Sequence, residues 1–217
     1  MKLSVFLLLM IVLLTACTVE SLQDNVTKQD INIINPVEGT NVYNHRYDNM
    51  DRGHHEFDGF EIVVDQTYYK SNDVQRGEIV FYRNPKLENS KINLSENEMA
   101  RIVALPGEKI RIDIGQIYIN GRKLDTFYGQ AHRLGMSIEE LQEAANRSDL
   151  ADNIRNNFSN NAKDFLKSKE TNLKEIMIPD EQYYIVGDDW CRSADSRHFG
   201  TIPKDTILGK VLGVVNK

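Results

Sequence analysis

Apolar residues fall into three regimes along this chain. Leu3 to Leu14 is a nearly unbroken apolar run. At about 12 residues it has the length of a signal-peptide core and falls short of the about 20 a membrane-spanning helix needs. Residues 18 to about 40 are polar, relieved only by Ile31–Ile34, and read as a tether. From Val42 the pattern changes to short β-branched and aromatic runs. These are Glu61–Val64, Arg76–Tyr82, Arg101–Leu105, Ile110–Ile112 and Ile117–Ile119. Asn120-Gly121 then marks a two-residue hairpin returning through Arg122–Leu124. Strands at this spacing predict a mainly β fold, an antiparallel, barrel-like domain.

Residues 129–174 break the pattern. Ser137-Ile138-Glu139-Glu140 has the form of a capping box, with Met136, Leu141 and Ala144-Ala145 on one helical face. A second helix is expected from Leu150 to Leu166, with Ile154, Phe158, Ala162, Phe165 and Leu166 on one stripe. Strands resume at Glu175–Ile178 and Tyr183–Val186, and Ile207–Val215 closes the chain. The expected organisation is a signal peptide over 1–16 and a tether over 17–41. A β domain made of 42–128 and 175–217 follows, with a small helical insertion at 129–174.

Composition narrows the function. The net charge of −6 provides no footprint for nucleic acid and no polybasic patch for anionic lipid. The stretch Leu14-Thr15-Ala16-Cys17, just after the apolar run, resembles a bacterial lipobox. The resemblance implies loss of residues 1–16 and lipidation of Cys17, whose acyl chains would anchor the protein. Cys191 is then the sole remaining thiol, without a partner for a disulfide, and is expected to be a small structural residue. His54-His55, with His45, Asp48, Asp51, Glu56 and Asp58 nearby, reads as a solvated polar loop rather than a metal centre. Tyr68-Tyr69 and Trp190 read as packing residues. No metal and no cofactor is expected.

Five blocks in order resemble the type I signal peptidases. Arg76-Gly77-Glu78-Ile79-Val80 is similar to the family's Arg-Gly-Asp strand. Arg101 through Glu108 is similar to its Arg-Val-Ile-Gly-Leu-Pro-Gly-Asp block, and Ile117 through Gly121 to the hairpin after it. Gly187-Asp188-Asp189 stands where the family has Gly-Asp-Asn. Ser193, Asp195, Ser196, Arg197 and Gly200 fall on its Ser-x-Asp-Ser-Arg frame, and Gly209-Lys210 on its closing pair. The resemblance implies a signal-peptidase catalytic-domain fold. It also implies a serine nucleophile and a lysine base held neutral by desolvation. Both are missing. The lysine position, just before Arg101, is Ala100. Alignment from Met50 puts Asn49 at the nucleophile, whereas counting back from Gly59 puts Asp51 there. Arg101 cannot replace the base, because guanidinium stays protonated. Asp195 and Arg197 are expected to form a structural ion pair. Ser193, with His198 the nearby base, would be the surrogate nucleophile if one existed.

Three functions follow as expectations. The first is a lipid-anchored, non-cleaving signal-peptidase relative on the extracytoplasmic face of a bacterial cell membrane. It would bind secretory precursors or other extended peptides by strand addition, or modulate an active signal peptidase. The second is a working serine-type peptidase with displaced catalytic groups. The third is an envelope lipoprotein that acts through its helical insertion.

Overall fold

The computed structural model describes residues 20–57, 59–87, 94–133 and 135–215. The apolar leader, Cys17 and Asp58 lie outside the described residues. Fifteen short strands and three α-helices are found among those described. The strands before the insertion are β1 (Ser21–Gln23), β2 (Ile33–Ile34), β3 (Thr40–Asn44), β4 (Glu61–Asp65), β5 (Ile79–Arg83), β6 (Asn97–Ala104), β7 (Lys109–Asp113), β8 (Gln116–Ile119) and β9 (Arg122–Asp125). Two-residue strands β10 (His132–Arg133) and β11 (Met136–Ser137) lead into α1 (Ile138–Ala145) and α2 (Asp152–Lys167). Then come β12 (Leu173–Met177), β13 (Gln182–Val186), α3 (Ser196–Phe199), β14 (Ile202–Pro203) and β15 (Ile207–Val215).

The larger sheet runs β14-β13-β6-β5-β15-β4-β3, and β2 pairs beside β15. These pairings are antiparallel except β2 on β15. The sheet curls, giving the mainly β, antiparallel half-barrel that the alternation predicts. Strand parity shows where its core lies. Val80, Tyr82, Ala100 and Ile102 point into one cluster with Tyr183 and Ile185. Phe81 and Met99, one residue out of step, enter another with Met50, Phe57, Ile62 and Val64. Strand β6 is therefore buried on both faces, which explains its near-continuous apolar run.

The smaller sheet, β1-β9-β8-β7-β12, closes a third cluster around Ile110, Ile117, Ile119 and Leu124. Asn120 (φ 52°) and Gly121 (φ 78°) both adopt the left-handed conformation of a tight hairpin turn. Phe165 of α2 inserts into this cluster.

Two expectations need correction. The helix stripe is narrower than its spacing suggests. Ala162 and Phe165 are buried, but Ile154 and Leu166 are exposed. The expected tether is not free along its length. Ser21–Gln23 pairs in parallel with Lys123–Asp125, and Ile33–Ile34 with Val214–Val215. Polar composition masked these pairings, because three-residue and two-residue strands leave no alternation to detect.

The capping box forms as the sequence predicts. The Glu140 N–H donates to Ser137 Oγ (3.2 Å), and the Ser137 N–H donates to Glu140 Oε2 (2.7 Å). Replacing Ser137 with Ala is expected to lower stability by about 1 kcal/mol in urea titrations, with the slope unchanged.

Candidate functional site

Asn49 follows β3 in a turn held by the Asp51 N–H on the Asp48 carbonyl (3.1 Å). Its side chain reaches β6. Nδ2 donates to the Met99 carbonyl at 2.7 Å, one residue before Ala100. Asn49 thus reaches the residue next to Ala100 on β6. The edge involved can be deduced from the ladder. Ile102 exchanges both main-chain bonds with the segment entering β5, from Gly77 N–H (2.8 Å) and to the Glu78 carbonyl (2.9 Å). Main-chain groups alternate sides along a strand, so those of Met99 face the other edge. There β13 pairs only as far as Val186 with Arg101. The Asn49 amide takes the next acceptor along that edge.

The Asn49 main chain is fixed from the opposite side. Its carbonyl accepts from the Asp189 N–H (3.0 Å) and from Ser193 Oγ (2.9 Å). Ser193 Oγ also lies 2.6 Å from the Asp189 carbonyl, so one hydroxyl proton serves two acceptors. Gly187 permits this packing. A Cβ there would stand 1.8 Å from Ser193 Oγ and 2.6 Å from the Asn49 carbonyl oxygen.

Ala100 is 1% exposed and surrounded by Val80, Tyr82, Ile102 and Ile185. It presents no group that could accept a proton. Arg101 points to the other face. Its Nε donates to Asp188 Oδ1 (2.8 Å), its Nη2 reaches Oδ2, and its Nη1 donates to the Gly77 carbonyl (2.8 Å). The rings of Phe127 and Tyr128 lie 4.9 and 5.3 Å from the guanidinium. Arg52 also approaches Asp188, at 3.8 Å. Burial pulls the Arg52 pKa down, Asp188 works against that, and the Arg101 charge adds to the depression.

Asp195 and Arg197 form the expected ion pair, both side chains 1% exposed. Asp195 Oδ2 accepts from Arg197 Nη2 (2.7 Å) and from the Gly187 N–H (2.9 Å), so the pair anchors the turn that carries Asp188. Arg197 stacks over Trp190 at 4.5 Å and donates to its carbonyl. The pair thus ties Gly187 and Trp190, on either side of Asp188-Asp189, to α3.

His198 does not serve Ser193. Its Nε2 lies 2.8 Å from Glu170, and Nδ1 accepts from the Asp195 N–H at 3.4 Å. Asp51 organises a loop instead: Oδ1 accepts from the Gly53 and His55 N–H groups at 2.7 and 3.0 Å. Among the described residues, no three His, Cys, Asp or Glu side chains are placed to hold a metal ion. Cys191 is exposed rather than packed as a structural residue, and partial burial of its thiol pushes it up to about 11, so little thiolate exists at neutral pH. Tyr68 packs against the Lys210 ammonium at 4.2 Å.

One titratable group escaped the sequence reading. Glu98 lies two residues before Ala100 on the same face of β6. Burial pushes its carboxyl up to about 7, against lowering by hydrogen bonds from the Met99 N–H and Ser95 Oγ. His45 Nδ1 lies 3.5 Å away. The i, i+2 spacing to Ala100 was the available signal.

The chain is similar to known proteins. Residues 37–215 match the family described as Signal peptidase, peptidase S26. The chain is 25% identical over 149 residues to a probable signal peptidase I-2 of Synechocystis sp., covering 69% of this chain and 51% of that protein. It is 29% identical over 154 residues to signal peptidase IB of Staphylococcus aureus (strain COL), covering 71% and 67%. A signal peptidase I structure from Enterococcus faecalis V583 aligns with 64% of this chain and 97% of that one, at 20% identity and TM-score 0.38. The chain thus spans about half the length of the Synechocystis relative and two thirds of the staphylococcal one. The matched residues include Asn49, Ala100 and the Asp188–Arg197 frame, and by that match the chain belongs to the signal peptidase family, peptidase S26.

Proposed function

We propose that this chain is a non-cleaving signal-peptidase relative, anchored by lipid on Cys17 at the extracytoplasmic face of a bacterial membrane. It binds secretory precursors or other extended peptides, or modulates an active signal peptidase. One observation carries the reading. Where hydrolysis needs a hydroxyl beside a neutral amine, this chain has an amide bonded to the Met99 carbonyl and a methyl group in an apolar cluster.

The test is cleavage, in detergent, of a preprotein with an Ala-x-Ala site. The native full-length chain is expected to leave it intact. The Asn49→Ser/Ala100→Lys variant is expected to cut it, since the cluster around position 100 would desolvate a lysine and favour its neutral form. Cleavage by the native chain would overturn the reading.

A second reading, a peptidase with displaced groups, has one observation in its favour. Glu98, up at about 7, has Ser95 Oγ within 3.3 Å. A base of that pKa suits proton transfer at neutral pH. If the native chain does cut, Glu98→Gln should abolish the activity under this reading.

A further inference from the structure

Arg52 carries a buried guanidinium that no acceptor takes up. Its side chain is 9% exposed, and among the described residues none of its side-chain nitrogens is hydrogen-bonded. The nearest carboxylates, Glu56 and Asp188, stand 3.6 and 3.8 Å from Nε, beyond hydrogen-bond reach. Both are engaged elsewhere. Glu56 Oε2 accepts from the Arg52 main-chain N–H (2.9 Å), and both Asp188 oxygens bind Arg101. The Phe127 ring lies 5.2 Å from the guanidinium. The residue is also held in place. A Cβ on Gly135 would stand 2.1 Å from the Arg52 carbonyl oxygen, so the loop packs tightly there. A desolvated charge held in this way is costly unless an acceptor bonds it.

Arg52 lines a cavity of about 830 Å³, within the ~300–1,000 Å³ usual for small-molecule sites. The segment from Asp24 to Asn32 roofs it. Tyr128 Oη fastens one end by donating to Asp24 Oδ2 (2.5 Å), and the Val214 N–H fastens the other on the Asn32 carbonyl (2.9 Å). Five cationic and three carboxylate side chains line the cavity, an excess of positive charge in a chain of net charge −6. Arg76, Arg101 and Lys210 are paired with Glu108, Asp188 and Glu78. Arg52 keeps its donors unfilled. Phe57, Ile79 and Val211 supply an apolar wall. Neither Asn49 nor Ala100 lines this space, and Arg101, which does, points to the face of β6 opposite Ala100.

We propose that this cavity binds a small organic anion, a carboxylate or phosphate monoester bearing an apolar group, with Arg52 as its anchor. The guanidinium fork matches either oxyanion, and charge-assisted bonds to it are strong. The apolar wall receives the rest of the molecule. Asp30, on the roof, already acts on Arg52 through space, opposing the fall in its pKa. It competes for the same charge and weakens binding. The site is separate from the degenerate dyad positions and stands whether or not the chain binds peptide.

The test is isothermal titration calorimetry on the full-length chain with hexanoate and phenyl phosphate. Hexanamide is the uncharged counterpart, and inorganic phosphate lacks the apolar group. The native chain is expected to bind at least one of the two organic anions ~tenfold or more tightly than hexanamide and inorganic phosphate, and which one binds identifies the oxyanion. Arg52→Gln is expected to weaken that binding at least ~tenfold. Asp30→Asn, an exposed change, is expected to tighten it about twofold at low salt. Arg111→Gln removes a guanidinium outside the cavity and is expected to bind as the native chain does. Trp190, 3% exposed, reports through near-UV circular dichroism whether each variant keeps its core. If Arg52→Gln loses that signal, Asp30→Asn and the comparison with hexanamide decide. No binding of either organic anion, binding of hexanamide as tight as that of hexanoate, or unchanged affinity in a folded Arg52→Gln would overturn the site. Inorganic phosphate bound as tightly as phenyl phosphate would overturn the role of the apolar wall.

Discussion

Replacing Asp188 with Ala is expected to destabilise the protein by about 3–5 kcal/mol, the largest single effect at the site. The carboxylate receives a two-pronged contact from Arg101 and a longer approach from Arg52. The Arg101 and Asp188 side chains are only 3% and 4% exposed, and Arg52 at 9% is hardly more so. Removing the anion leaves two guanidinium groups facing each other without solvent. Arg52 already feels the Arg101 charge, which pulls its pKa down alongside burial. Thermal unfolding should shift down by about 10 °C for a chain of this size. The ion pair need not be net stabilising, since two charges had to be desolvated to make it. A double variant, Arg101→Met/Asp188→Leu, should therefore recover much of the loss. A double-mutant cycle in urea measures this directly, and a full loss in the double variant would refute it.

Stability is expected to fall as pH rises from about 4.5 to about 7, and Glu98→Gln should remove that slope. The folded Glu98 carboxyl is pushed up to about 7 by burial, from an ordinary value of 4.5. In this window the folded state keeps the proton and the unfolded state has lost it. Raising the pH therefore favours unfolding, with no further change from this group above about 7. The full effect is of order 3 kcal/mol. His45 lies 3.5 Å from the carboxylate, so native and Glu98→Gln chains must be compared at each pH. Urea midpoints at pH 5 and pH 8 decide the matter. Equal slopes in both chains would sink the assignment.

Local chemistry made some of the structure legible and hid the rest. Asn120-Gly121 specified its hairpin because both residues tolerate positive φ. Ser137 and Glu140 specified their helix start because the box closes over three residues. The Asp195–Arg197 pair was legible for the same reason, being two residues apart. Contacts across long separations were not. Nothing in the sequence ties Arg101 to Asp188, 87 residues on, or Tyr128 to Asp24, 104 residues back. Asn49 and Ala100 stood out against the family's pattern, but the contacts the fold gives them did not. That Asn49 donates to the Met99 carbonyl depends on where β13 ends, which is a property of the sheet.

The pairing of β1 with β9 has a consequence for how far the body can stand from a bilayer. A free leash from Cys17 to Val42 would let the domain wander tens of ångströms. Engagement begins at Ser21, which lines up with Lys123. If Cys17 carries lipid as proposed, only four residue steps would separate that lipid from Ser21, at most about 14 Å of extended chain. With that anchor, the edge strand β1 of the smaller sheet would be held within reach of the headgroup layer.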